Sequence, residues 1–129
     1  MKKYFSKPTE RNPEIYFDKK DFLLKFNGFS MAENSALIYE PLIDWIKSDL
    51  KKHLSETDKI VVDFNLEYLN TNTSRYLYQI ISELNNESIF HKTQLNVNWH
   101  YYPEDIDMKE LGQLLEKITV VKFNFYSLS

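Results

Sequence analysis

Five small polar side chains follow one another within the segment "EYLNTNTSRYLYQII", residues 67–81. They lie between the end of a strand-like run and the start of a helix-like run: Asn70, Thr71, Asn72, Thr73 and Ser74. One capping side chain is enough for a helix N-terminus. Capping by Asn70 or Thr71, together with ordinary turn preferences, therefore explains only part of this run.

The chemistry that such a hydroxyl-rich turn could support is phosphorylation, because a phosphoacceptor has to be exposed and turns are exposed. A phosphate adds a charge of about −1.5 to −2 at neutral pH. The backbone N–H groups and the dipole at a helix N-terminus stabilise negative charge. The segment is therefore either a capped turn or a phosphorylation site that leaves the fold intact and acts on a docking partner.

No other group of residues points to catalysis or to a cofactor. The chain has no cysteine, which excludes disulfides, zinc ribbons and thiol catalysis. The histidines His53, His91 and His100 fall in different predicted elements and do not form a metal site. Glycine-rich phosphate loops, nucleophile elbows and kinase motifs are missing as well. The sequence predicts a protein that is not an enzyme.

Composition narrows the class further. The 129 residues are 43% hydrophobic and 27% charged, as in one globular domain, and the net charge is −3. An acidic chain is a poor match for a nucleic-acid backbone. The sequence shows no signal peptide and no apolar run of the roughly 18 residues that span a membrane. We expect a cytoplasmic protein that binds neither nucleic acid nor membranes.

The elements that position the polar turn are predicted in the order β-β-α-β-α-β-α-β. Residues 1–13 are expected to be a flexible arm and 14–129 a single domain. The predicted strands are 14–17, 22–26, 59–69, 93–102 and 120–126. Helices are expected from a Ser30–Glu33 capping box, over 74–86, and after Pro103, the last one burying Met108, Leu111, Leu114, Leu115 and Ile118.

Apolar and polar residues alternate along the later strands, for example in "KIVVDFNLEYL". Strands buried on both faces would be apolar throughout. We therefore predict an α/β fold with a mixed five-stranded sheet whose helices lie mainly on one face. The other, asparagine-rich face is either solvated or a partner surface.

Four stretches, "GFSMAENS", "IYEPLIDWI", "EYLNTNTSR" and "WHYYPEDIDMKELG", resemble in type and order the motifs of the SiaC family of regulatory phosphoproteins. That family typically has a Gly-Arg-Ser-x-x-Glu-Asn segment, a Tyr-x-Pro-Leu-x-x-Trp helix, a Tyr-Phe-Asn-Thr-Ser-Ser turn and a Trp-Tyr-Tyr strand end before an acidic helix. This sequence departs from the pattern at Phe29, Leu69 and Asn72, where the family usually has Arg, Phe and Ser.

The resemblance implies a STAS-like fold, as in anti-sigma factor antagonists, and a partner-switching regulator without catalysis or cofactor. It implies a dedicated Ser/Thr kinase and a PP2C-type phosphatase. In its unphosphorylated form such a protein binds and activates an effector, a diguanylate cyclase. This activation raises cyclic di-GMP and promotes biofilm formation.

Carried over residue by residue, the family turn places the phosphoacceptor at Thr71, with Thr73 and Ser74 as alternative hydroxyls. The residues expected to contact a partner lie in or beside this turn: Tyr68, Asn70, Asn72 and Tyr78. A different class of function stays open, namely a small-ligand or anion-binding module that uses the polar sheet face or the turn. Such a module would be stabilised by phosphate or a nucleotide without any partner.

Overall fold

A computed structural model describes residues 3–128, whose strands form one sheet. The strands are β1 (Phe5–Ser6), β2 (Glu14–Asp18), β3 (Leu23–Ser30), β4 (Lys59–Leu69), β5 (Gln94–Tyr101) and β6 (Phe123–Ser127). The helices are α1 (Ala36–Ser48), α2 (Thr71–His91) and α3 (Ile106–Thr119), and a 3-10 helix, Leu50–Glu56, follows α1. The mixed α/β class predicted from the sequence is confirmed.

The six strands lie side by side in chain order, β1 to β6. β1, β2 and β3 pair antiparallel, whereas β3 to β6 pair parallel. Parallel neighbours need a crossover, which α1, α2 and α3 provide in turn. The prediction of five strands was wrong, because Phe5–Ser6, within the predicted arm, adds a sixth strand beside β2. Two residues are too few to show a strand's period.

One face of the sheet is apolar and the other polar, as the alternation in the sequence predicts. An in-register row on the apolar face runs Ile15, Phe26, Phe64, Trp99 and Phe125. The helices cover this face: Trp45 of α1 packs on Phe17 with ring centroids 5.2 Å apart. On the opposite face the row of in-register neighbours is Lys25, Asp63, Asn98 and Asn124.

The helix start predicted at Ser30 was wrong. β3 continues to Ser30, and α1 begins only at Ala36, with Ser35 as its N-cap. The Ser30 hydroxyl caps no helix and instead lies 2.7 Å from the hydroxyl of Thr73, 43 positions further along the chain. A four-residue pattern such as Ser-x-x-Glu carries no information about a partner so distant in sequence.

Helix α3 lies close against β5 because Gly112 faces Trp99. A Cβ atom at Gly112 would lie 2.6 Å from the indole ring, far inside van der Waals contact. The Trp99 Nε1–H also donates to the Met108 carbonyl oxygen at 3.0 Å. These two contacts fix the rotation of α3 about its axis.

That rotation decides which apolar residues of α3 are covered. The helix buries Met108, Gly112, Leu115 and Thr119. Met108 and Leu115 were predicted to be buried, and this is confirmed. The same prediction was wrong for Leu114 and Ile118, which are 52% and 47% exposed. Periodicity identifies the apolar residues of a helix but not how many of them the fold can cover.

Candidate functional site

The polar turn follows the carboxyl end of β4, where the neighbouring strand β3 also ends. Ser30 and Leu69 are in register, and the Asn70 backbone N–H donates to the Ser30 carbonyl oxygen at 3.0 Å. The register shifts between Gly28 and Phe29. Gly28 has φ of 101°, in the region that favours glycine. The register of Ser30 with Leu69 and the hydrogen bond from Asn70 thus hold the end of β3 beside the turn.

Asn70 is the N-cap of α2, which settles the choice between the two capping candidates. Its Oδ1 accepts from the Thr73 backbone N–H at 2.9 Å, and its Nδ2 donates to the Ala32 carbonyl oxygen at 3.1 Å. Thr71 is then the first helical residue. Asn70 joins the turn both to α2 and to the segment that precedes α1.

Thr73 is fully buried, although Thr71 and Asn72 beside it are exposed. Its Oγ1 lies 2.7 Å from the Ser30 hydroxyl and 2.9 Å from Asn70 Oδ1. The Ser30 carbonyl oxygen, at 3.2 Å, is a second acceptor for the Thr73 hydroxyl. An amide oxygen can only accept, so the Thr73 hydroxyl donates towards Asn70 and accepts from Ser30.

Tyr39 completes this chain of hydrogen bonds. Its hydroxyl lies 2.7 Å from the Ser30 hydroxyl, and its ring stacks on Tyr76 with centroids 5.4 Å apart. Burial raises the pKa of Tyr39 to about 12, although the nearby hydroxyls of Ser30 and Thr73 act in the opposite direction. Tyr39 is therefore neutral at pH 7. Because the Ser30 hydroxyl donates to Thr73, the Tyr39 hydroxyl is the donor in its hydrogen bond with Ser30. These hydrogen bonds connect α1, β3 and α2 beneath the turn.

The three candidate hydroxyls differ in how accessible they are. Thr71 is exposed, and within residues 3–128 its hydroxyl makes no hydrogen bond. The Ser74 hydroxyl donates to the Thr71 carbonyl oxygen at 2.7 Å. Thr73 is 0% exposed and bonded on both sides. A kinase has to reach the hydroxyl that it modifies, so this arrangement favours Thr71 and disfavours Thr73.

Residues predicted to contact a partner lie on two sides of α2. Thr71, Ser74 and Tyr78 follow at i, i+3 and i+7, which places them on one face of the helix, and Tyr78 is exposed. Asn72 lies to the other side, in a polar pocket that Glu33 and other residues also line. The polar side chains that are consecutive in the sequence therefore belong to two different surfaces of the protein.

Tyr68 lies at the end of the sheet beside the turn. It is half-exposed and in register with Phe29 of β3, which is also exposed. In-register neighbours on parallel strands lie side by side, so two aromatic side chains stand next to the start of α2. Phe29, one of the positions at which this sequence departs from the family pattern, is therefore a surface residue.

The open sheet face contains a shallow hollow lined by charged residues of both signs, among them Asp21, Lys25, Lys59, Asp63 and His100. His100 Nε2 lies 2.8 Å from Asp63 Oδ1. Because two carboxylates lie among the lysines here, the hollow lacks the single sign of charge that would attract an anion. This arrangement does not favour the anion-binding alternative at the sheet face.

Neither a metal cluster nor a membrane span is found in the part of the chain that the structure describes. Over residues 3–128, no three His, Asp or Glu side chains are grouped so that they could hold a metal ion. None of the helices over the same residues is long and apolar enough to cross a membrane.

The model of the SiaC family of regulatory phosphoproteins matches residues 6–128. The chain belongs to the SiaC family. An uncharacterised protein of Pseudomonas aeruginosa strain UCBPP-PA14 is 26% identical over 106 residues, which are 81% of this chain and 80% of that protein.

Solved structures from the same organism share the fold of this SiaC-family protein. Apo-SiaC from Pseudomonas aeruginosa superposes with a TM-score of 0.83 at 23% identity, over 98% of this chain and 100% of that one. A crystal structure of the diguanylate cyclase SiaD in complex with its activator SiaC matches with a TM-score of 0.82 at 22% identity, over 97% and 99%.

The fold explains why motifs far apart in this SiaC-family sequence belong to one site. Ser30, Tyr39 and the pair Asn70 and Thr73 come from three of the four motifs, and they form the single hydrogen-bonded chain. Sequence reasoning missed Ser30 and Tyr39 as parts of the site. The one available signal was that parallel strands end at the same edge, which brings the end of β3 to the turn after β4.

Proposed function

We propose that this SiaC-family protein is a non-enzymatic, cytoplasmic partner-switching regulator controlled by phosphorylation of Thr71. A cognate Ser/Thr kinase adds the phosphate and a PP2C-type phosphatase removes it. The unphosphorylated form binds and activates a signalling effector, a diguanylate cyclase. The observation that carries the proposal is the exposed, unbonded hydroxyl of Thr71 at the first position of α2.

A phosphate on Thr71 is compatible with the fold. The buried hydrogen bonds involve the Thr73 hydroxyl and do not include the hydroxyl of Thr71. The helix dipole favours an anion in the first turn by about 0.3–1 kcal/mol. Phosphorylation therefore changes the surface without unfolding the protein. It adds about −1.5 to −2 of charge to a chain of net charge −3.

A partner that docks around the turn would meet this new charge directly. Tyr68, Asn72 and Tyr78 lie before and after Thr71 along the chain, and all three are exposed. Asn70 has the different role of holding the turn in shape. The effector class is supported by the related complex in which SiaC is the activator of a diguanylate cyclase.

The proposal is tested with three variants and two measurements. Wild type, Thr71→Ala and Ser74→Ala are incubated with the kinase and weighed by intact-mass spectrometry. Wild type and Ser74→Ala should gain one phosphate, and Thr71→Ala none. Ser74→Ala is the matched control, because it removes an accessible hydroxyl from the same turn.

The second measurement is a pull-down from host cells with wild type, Thr71→Ala and Thr71→Glu as baits. A diguanylate cyclase should be retained by the first two and lost by the third. Uptake of phosphate by Thr71→Ala would show that Thr71 is not the acceptor. Equal retention by all three baits would contradict control of the effector through this site.

A further inference from the structure

Helix α3 carries a second apolar stripe, which the fold covers only in part. Leu111, Leu114 and Ile118 follow at i, i+3 and i+7, and the last two are about half-exposed. Across from them lies Tyr78 of α2, and between the two helices runs an apolar groove with a volume of about 280 Å³. The contact of Gly112 with Trp99 prevents α3 from turning to bury this stripe.

The groove begins one helical turn from the proposed phosphorylation site. Its lining includes Ser74 and Arg75, which follow Thr71 at i+3 and i+4. Residues at these spacings are neighbours on a helix surface, with Cβ atoms about 5–6 Å apart. A partner lying in the groove would therefore reach Thr71.

Arg75 places an available positive charge at this end of the groove. Within residues 3–128, the ion pairs all involve histidines, and no carboxylate pairs with Arg75. Glu33 lines the polar pocket on the other side of Arg75 without pairing to it. A guanidinium is well suited to bidentate recognition of a carboxylate, so charge complementarity points to an acidic residue in the occupant.

The walls of the groove also select the backbone conformation of the occupant. Both walls are α-helices, whose backbone groups are bonded internally, and no strand edge is present. An extended peptide would find no partners for its own N–H and C=O groups, whereas a helix satisfies them itself. The segment from Leu111 to Ile118 is roughly 10 Å long, or two helical turns.

We infer that the groove between α2 and α3 binds an amphipathic helix of the effector, with apolar residues over about two turns and an Asp or Glu that pairs with Arg75. This inference rests on the proposed function. Phosphate on Thr71 then acts twice, because it competes for the Arg75 guanidinium and repels the acidic residue of the incoming helix.

The first test is photo-crosslinking in host cells. The full-length protein carries p-benzoyl-L-phenylalanine at position 114, or at position 89 as control, where Ile89 is 69% exposed at the far end of α2. Position 114 should give an adduct that maps to an acidic amphipathic helix, and Thr71→Glu should reduce it by about tenfold, a change of about 1.4 kcal/mol.

Three results would overturn the inference. One is an adduct at position 114 no stronger than that at position 89. The second is an adduct that maps to an extended or basic segment, and the third is an adduct to a second copy of this chain. If the adduct maps to an acidic helix of a protein that is not a cyclase, helix binding in the groove is supported. The proposal that the effector is a diguanylate cyclase is then refuted.

The second test uses the captured protein in purified form. Leu114→Asp and Arg75→Glu should each weaken its binding by about tenfold or more, whereas the control Ile89→Asp should bind like wild type. All three side chains are exposed, so the three variants should keep the urea unfolding midpoint of wild type. Wild-type affinity of both groove variants would refute the groove, and the phosphorylation switch would stand.

Discussion

Thr73→Val separates a structural role for the Thr73 hydroxyl from a role as phosphoacceptor. Valine keeps nearly the same shape but removes the acceptor of the Ser30 hydroxyl, which lies 2.7 Å away. Ser30 is buried, so water does not replace that acceptor. Asn70 Oδ1 keeps the backbone N–H of residue 73. One buried donor is therefore left unpaired, which costs about 1–3 kcal/mol.

The assay is urea unfolding, in which a lower midpoint at an unchanged m-value reports the loss of stability. Ser74→Ala, whose hydroxyl is accessible, should change the free energy of unfolding by about 0.5 kcal/mol or less. Adding Ser30→Ala to Thr73→Val should cost less than the sum of the single changes, because the pair is removed together. Thr73→Val should still be phosphorylated.

Wild-type stability of Thr73→Val would refute the buried hydrogen-bonded chain. Loss of phosphorylation in a Thr73→Val variant that is still folded would refute the assignment of the acceptor to Thr71. The two readouts are independent, since one measures the interior of the site and the other its surface.

Other changes test neighbouring parts of the structure. Folded Tyr39, with a pKa near 12 against 10.0 for a free tyrosine, keeps a proton that the unfolded chain loses. Stability should therefore fall as pH rises from about 10 to about 12, and Tyr39→Phe should show a smaller fall in urea midpoints over that range. Gly112→Ala should destabilise by about 1–3 kcal/mol through overpacking against Trp99, whereas Gln113→Ala should be neutral; equal stability of the two would contradict the tight contact of α3. Phosphate or a nucleotide alone should leave the melting temperature unchanged, and a clear rise would favour the ligand-binding alternative.

Strands were predicted best where the pattern was long. The burial of β4, Lys59–Leu69, alternates from Lys59 to Glu67, and the bounds of the strand match the prediction. The same alternation predicted a sheet that is open on one face. α2 begins three residues before the predicted start at Ser74, because its first turn is polar and shows no apolar periodicity. It also continues beyond residue 86 to His91, where Ile89 and Phe90 are exposed and do not extend the buried stripe.

The site could be predicted only where its contacts are local in sequence. Capping by Asn70 depends on a residue three positions away, and the sequence limited the cap to Asn70 or Thr71. The burial of Thr73 depends on Ser30, 43 residues away, and no local pattern predicts it. The exposure of Leu114 and Ile118 depends on the fit of Gly112 to Trp99, which sequence periodicity does not register.

In the proposed switch, one phosphate on Thr71 weakens binding of the effector without altering the fold. The most direct measurement is the affinity of the purified effector for the chain before and after phosphorylation, by calorimetry, with circular dichroism of both forms. The affinity should be at least about tenfold weaker after phosphorylation, and the two spectra should superimpose. Equal affinity of the two forms would contradict the proposed switch.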